Sequence, residues 1–148
     1  MKNKITVVIV TYKTNRNILE KCLSSIDRNI KILIVENSKK FENKHFFLSK
    51  FKNLKIMCSG ENLGYGKANN FGLRHVKSKY ALILNPDASC GKNFFKILDN
   101  QIKLLKNFDL IGCIYNNFKK IPPAGFFNKK KNENFKKNVS SKNLKQIT

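Results

Sequence analysis

The segment Asn85-Pro86-Asp87 ends an apolar run from Tyr80 to Leu84 and puts a carboxylate where a strand gives way to a loop. A carboxylate so placed can hold a divalent cation against a diphosphate and offset the charge that builds up as the phosphate departs. Three other apolar runs end in polar clusters of their own. These are Thr11-Tyr12, Glu36-Asn37-Ser38, and the glycine-bearing stretch Gly60-Glu61-Asn62-Leu63-Gly64-Tyr65-Gly66. Each has a plainer reading. Asn-Pro-Asp makes a good turn, and Asp87 or Ser89 can cap the following helix. Glu36 can be a solvated acid, Gly64 and Gly66 can serve a tight turn, and Tyr12 can simply pack. Four polar clusters at four strand ends are nevertheless better explained by one nucleotide cleft than by four unrelated turns, because open parallel sheets bind ligands beyond the carboxyl ends of their strands.

The elements that must position these residues follow from hydrophobic periodicity. Ile5 to Val10 is β-branched and apolar on both faces, as a buried parallel strand should be. Thr14-Asn15 can cap a helix whose apolar stripe is Ile18, Leu19, Cys22, Leu23 and Ile26. Strands are expected at Ile32 to Val35, Leu54 to Cys58, Tyr80 to Leu84 and Leu110 to Tyr115. Helices are expected around Ala68, Phe71, Leu73 and Val76, and with Phe94, Leu98, Ile102 and Leu105 on one face. Residues 39–51, rich in lysine and phenylalanine, read as a loop or short helix. The alternation of strands and helices predicts an α/β fold with a mainly parallel sheet and flanking helices.

Dinucleotide binding would require G-x-G-x-x-G directly after the first strand and an acid ending the second. Glu36 meets the second condition, but Thr11 to Asn17 contains no glycine, and no G-x-x-x-x-G-K-[ST] phosphate loop is present. A nicotinamide-dependent enzyme is therefore disfavoured. The segments Val7-Val8-Ile9-Val10-Thr11-Tyr12, Ile34-Val35-Glu36-Asn37-Ser38, Glu61-Asn62-Leu63-Gly64-Tyr65-Gly66-Lys67-Ala68-Asn69-Asn70 and Leu84-Asn85-Pro86-Asp87 come in a telling order. In order and spacing they resemble family-2 glycosyltransferases, most of all the bacterial rhamnosyltransferase-type members that build surface polysaccharide. The resemblance covers about residues 4–115.

That resemblance implies a GT-A (Rossmann-like) fold and a role for each matched position. Thr11 and Tyr12 would line the base and ribose pocket. Glu36, where the family usually has aspartate, would contact base or ribose from one methylene further out. Asn62, Gly64 and Asn69 would shape the pocket wall. Asn85-Pro86-Asp87 would stand in for the D-x-D metal motif, with asparagine in place of the first acid and Asp87 left as the principal ligand to Mg²⁺ or Mn²⁺ and to the diphosphate. The donor would be a nucleotide-diphosphate sugar, and transfer to a glycan or lipid-linked acceptor would proceed with inversion.

Such transfer needs a base for the acceptor hydroxyl, and the resemblance places that carboxylate well beyond the metal motif. Past Asp87 the acids are Asp99, Asp109 and Glu133, none in a convincing context. The expected organisation is a partial nucleotide-sugar-binding domain at residues 1–118, truncated before the acceptor-binding half, then a linker and lysine-rich disordered tail at residues 119–148. A partner half would be missing, and the isolated chain would bind its donor with little or no transfer.

Composition narrows the reading further. The net charge is +21, carried almost wholly by lysine, with Arg16, Arg28 and Arg74 the only arginines. Residues 1–127 hold 23 basic and 8 acidic side chains, and residues 128–148 hold 7 and 1, so the excess is diffuse. It favours anionic partners, among them nucleoside diphosphates, an anionic membrane and nucleic acid. A small basic nucleic-acid-binding module is the alternative from another class, opposed by the scarcity of arginine and the lack of a nucleic-acid motif. Cys22, Cys58, Cys90 and Cys113 stand singly, three of them in apolar segments as small core residues would, so neither a disulfide framework nor a zinc site is expected. His45 and His75 read as surface or packing residues. With no signal peptide and no long apolar span, a cytoplasmic protein, at most peripheral at the inner face of the membrane, is expected.

Overall fold

The computed structural model describes residues 4–105 and 108–112 together with the backbone of residues 126 and 127. The chain divides into two units, residues 1–90 and 91–148. The expected boundary after residue 118 and nearly all of the expected tail lie outside the described residues.

The first unit runs β1 (Ile5–Thr11), α1 (Arg16–Ser24), β2 (Lys31–Glu36), α2 (Lys44–Lys50), β3 (Leu54–Cys58), α3 (Tyr65–Leu73) and β4 (Tyr80–Ile83). Its sheet has the order β3-β2-β1-β4, and every pairing is parallel. The central position of β1 follows from its composition. All seven of its residues are buried, which suits β-branched side chains covered on both faces. In β2 only Lys31, at the start, is exposed. Edge strand β4 alternates half-buried and exposed positions, and edge strand β3 is buried only at Leu54. Cys58, expected in the core, is exposed at the end of edge strand β3, which has a strand neighbour on one side only among the described residues.

Parity along the strands assigns the faces. Val8 and Val10 of β1 and Val35 of β2 pack with Ala68 of α3, joined by Leu63, Phe71, Leu73 and Val76. Helix α3 lies close on this face because Gly72 has no side chain: a Cβ there would stand 2.8 Å from Val35 Cγ2 and 2.9 Å from Val8 Cγ1. Val7, Ile9, Thr11, Ile32, Ile34 and Glu36 point to the other face. Each fully buried Val or Ile contributes on the order of 1.5–3 kcal/mol relative to exposure, so β1 and β2 anchor the unit. Asn15 caps α1 by accepting from the backbone N–H groups of Asn17 and Ile18, as the sequence suggests. The ambiguous 39–51 stretch contains a short helix, pinned by Phe47, whose ring meets Phe41, Phe46 and Phe51.

The second unit contains α4 (Phe94–Leu104), β5 (Leu110–Ile111) and β6 (Phe126–Phe127), the last two paired antiparallel. In α4 the buried positions are Phe95 and Leu98. The buried stripe is thus centred one residue from the expected Phe94, which is half-buried and set edge-to-face against Phe95.

Candidate functional site

Strand β1 lies between β2 and β4, so the chain leaves it to one side through α1 and returns to the other side through α3. That reversal makes the β1/β4 boundary the topological switch point, where open parallel sheets form a ligand crevice. The polar clusters expected from the sequence all stand at this carboxyl end of the sheet.

Thr11 and Glu36 are register partners at the tops of β1 and β2. Thr11 Oγ1 donates to Glu36 Oε2 at 2.6 Å, and Ser38 Oγ donates to Glu36 Oε1 at 2.7 Å. With Glu36 4% exposed and Thr11 0% exposed, the carboxylate is fixed by two hydroxyl donors. It keeps spare lone pairs, one use of which is to accept from a ligand hydroxyl. Tyr12, the next residue along, is exposed. Lys13 then takes φ 50°, a left-handed backbone that is costly for a lysine. Its ammonium lies 5.4 Å from the Tyr12 ring centroid, within cation–π range.

Asn37 is the residue that sequence reasoning left without a role. It is 3% exposed. Its Nδ2 donates to Asn62 Oδ1 at 2.9 Å, and its Oδ1 accepts from the Leu63 N–H at 2.9 Å. Asn62 Oδ1 also accepts from the Gly64 N–H at 3.0 Å. One amide at the end of β2 therefore clips the loop that opens α3. Gly64 sits at the helix N-cap with φ 75°, a conformation that favours glycine, and no side chain caps the helix there. The opening turn of α3 thus presents backbone N–H groups of the kind that suit an anion. The only advance signal for Asn37 is that an amide follows the last strand residue, where a side chain must turn either in or out.

Asn69 is 4% exposed. Its Nδ2 donates to the Tyr65 carbonyl at 3.0 Å, while its Oδ1 has no partner among the described residues. Across the switch point, Tyr65 Oη donates to Asn85 Oδ1 at 2.7 Å. The Asn85 carbonyl accepts from Cys22 Sγ at 3.6 Å. Burial, reinforced by Cys90 and Asp87, pushes the Cys22 thiol up from 9.0 to about 12. It stays a protonated donor rather than a nucleophile. Asn85 thereby joins α1, α3 and β4.

Asp87 is exposed and carries no hydrogen bond or ion pair among the described residues. No group of three or more His, Cys, Asp or Glu side chains stands together among them. These residues fit a hard cation that takes one carboxylate from the protein and its other oxygens from a diphosphate and water, rather than one enclosed by protein ligands.

Tyr12, Asn62, Gly64, Asn85 and Asp87 are exposed at this end of the sheet, while Thr11, Glu36 and Asn69 lie beneath them. Of the later acids, Asp99 forms an i, i+4 ion pair with Lys103 at 2.6 Å, and Asp109 is exposed. No described helix is long and apolar enough to cross a membrane.

The sequence pattern described as "Glycosyl transferase family 2" matches residues 6–145. Among solved structures, the crystal structure of S. aureus TarS 1-349 superposes with a TM-score of 0.66 at 18% identity, covering 80% of this chain and 38% of that one. A second crystal structure of S. aureus TarS gives 0.64 at 20% identity, covering 80% of this chain and 23% of that one. At such identity the likeness speaks to the fold, a mainly parallel GT-A-type sheet with flanking helices. The chain spans well under half the length of these relatives. A search of curated proteins returns no match.

Proposed function

The chain belongs to glycosyl transferase family 2, and from that premise we propose that the carboxyl end of its sheet binds a nucleotide-diphosphate sugar for inverting transfer to a glycan or lipid-linked acceptor. The observation that carries the reading is Asn85, which ties α1 and α3 to the end of β4 and leaves Asp87 open beside the switch point.

In this reading Tyr12 covers the base, and the hydroxyl-fixed carboxylate of Glu36 accepts from base or ribose. Thr11 and Asn69 set the floor, while Asn62 and Gly64 hold the α3 N-terminus toward the diphosphate. Asp87, assisted by Asn85, would hold Mg²⁺ or Mn²⁺. When bound, the ion offsets the charge that develops on the departing diphosphate. The acceptor oxygen attacks the anomeric carbon, the bond from that carbon to the diphosphate oxygen breaks, and the acceptor proton passes to a base. The described residues of this chain are assigned no such base. A hexosyl or rhamnosyl donor, a place in cell-envelope polysaccharide synthesis and a cytoplasmic, membrane-peripheral setting complete the proposal.

The test is calorimetric titration of the chain with UDP and dTDP, with and without Mn²⁺, beside an Asp87→Ala variant. Binding that requires Mn²⁺ and is lost in Asp87→Ala supports the reading. Folded protein that binds neither nucleotide, or binds one regardless of metal and Asp87, rejects it.

A further inference from the structure

The end of the sheet opposite the candidate site has a different chemistry. Two clefts of about 410 and 460 Å³ lie there and share Lys52 and Asn53 in their walls. The larger follows the amino-terminal ends of β1, β2 and β3, and the smaller lies along the carboxyl ends of α1 and α2. Arg28, Lys31, Lys50, Lys52, Lys55 and Lys77 line them, and every one of these six is exposed. No Asp or Glu among the described residues lines either cleft. Glu20 reaches Lys50 from α1 and neutralises one of the six. The carboxyl ends of two helices supply roughly one further unit of negative charge between them. About four positive charges remain uncompensated, more than is needed to balance the fold itself.

We propose that this groove is a docking surface for the phosphate headgroups of an anionic lipid bilayer. Five of the six cations are lysine ammoniums on exposed stems, and only Arg28 offers a fork that could grip one phosphate at two points. An array of point charges gains most from a surface that offers many phosphates at once, and each lysine near an anionic bilayer strengthens binding about fivefold. Nucleic acid fits less well, since His75 is the one exposed ring among the described residues that line the groove, and successive bases need successive rings to stack on. Phe51 is half-buried against Phe47, and the His75 ring already lies against Phe71.

Docking by this end has a geometric consequence. Strand β1 is seven residues long, so at about 3.3 Å per residue it holds the candidate site roughly 20 Å from the bilayer and facing away from it. An acceptor must then reach the site on an extended chain. The inference builds on the peripheral setting proposed above, but it does not depend on the donor site, and vesicle binding without nucleotide tests it separately.

The full chain is sedimented with vesicles of phosphatidylcholine alone and of phosphatidylcholine mixed with phosphatidylglycerol. Wild type is compared with the triple variant Lys31→Glu, Lys55→Glu, Lys77→Glu, and with a control of equal charge change, Lys44→Glu, Lys92→Glu, Lys96→Glu. A milder triple, with glutamine at the three groove positions, covers the case in which charge reversal unfolds the protein, and circular dichroism checks each variant. Binding that needs phosphatidylglycerol, falls more than about tenfold in the groove variants and changes less than about threefold in the control supports the proposal. Equal losses in groove and control variants reduce the effect to diffuse charge and overturn it. So does binding that neither set disturbs. Saturation by soluble glycerol phosphate as readily as by vesicles assigns the groove to a free phosphate instead. Tighter binding to a single-stranded oligonucleotide through the same lysines assigns it to nucleic acid.

Discussion

Asn37 and Asn62 are joined amide to amide, 2.9 Å from Nδ2 to Oδ1, across the gap between the end of β2 and the loop that opens α3. The other half of the Asn37 amide accepts from the Leu63 N–H at 2.9 Å, so one buried side chain fixes two consecutive residues of that loop. Asn37→Ala removes both bonds and leaves the Leu63 donor unsatisfied. At roughly 1–3 kcal/mol for such a buried group, urea unfolding should register a clear loss of stability. Nucleotide affinity should fall as well, since Asn62 positions Gly64. Asn37→Asp keeps the oxygen that accepts from Leu63 and Ser59 but loses the donor to Asn62, so it should restore the Leu63 bond and not the amide-to-amide one. If Asn37→Ala unfolds at the wild-type urea midpoint, the clip is not made in solution.

Thr11 and Glu36 give a second, sharper case. Thr11→Val preserves shape but removes the donor to a carboxylate that is 4% exposed. The cost should be about 1.5–3 kcal/mol, the range for a hydrogen bond to a charged group. A double-mutant cycle with Glu36→Gln should show coupling above about 0.5 kcal/mol, as neighbours sharing a bond do. Additive effects would mean that the two side chains act independently.

Gly72 tests how closely α3 approaches the sheet. A methyl group there would press on Val35 and Val8, at 2.8 and 2.9 Å, both 0% exposed and unable to give way cheaply. Overpacking costs about 1–3 kcal/mol, against a gain of about 1 kcal/mol from replacing glycine in a helix. Gly72→Ala should therefore lower the melting temperature, and Gly72→Val should lower it much further. A stabilised Gly72→Ala protein would show that α3 stands further off than these distances require.

Much of this architecture could be read from residue types. Continuous β-branched runs mark β1 and β2 because strands covered on both faces need them, and the span of β3 agrees with the expected Leu54 to Cys58. What escaped was the outcome of pairing. Thr11 and Glu36 read as two separate ligand contacts, yet the parallel register sets them opposite each other and lets them bond. The stripe of α4 centres on Phe95 rather than Phe94 because both are phenylalanine and only tertiary packing chooses between them. Asn37 went unassigned for a similar reason: nothing local says whether a polar residue at a strand end turns toward a neighbouring loop or toward solvent.

The cysteines separate by environment in a way that chemistry can read directly. Cys58 is exposed, whereas Cys22 is buried and donates to the Asn85 carbonyl. Alkylation requires the thiolate, and burial, with the charges of Cys90 and Asp87, raises the Cys22 value to about 12. At pH 8 iodoacetamide should therefore label Cys58 readily and Cys22 only after urea unfolding, as peptide mass mapping would reveal. The same shift carries a sign for stability. An unfolded Cys22 loses its proton near its ordinary 9.0, while the folded protein retains it to about 12. Between those values the unfolded state binds fewer protons, so stability falls as pH rises through that window and is unaffected by this group below it. Cys22→Ser has no thiol to ionise and should lose less stability than wild type between pH 8 and pH 10.5. Equal losses in the two proteins, or rapid native labelling of Cys22 at pH 8, would place the thiol in water and remove the link from α1 to Asn85.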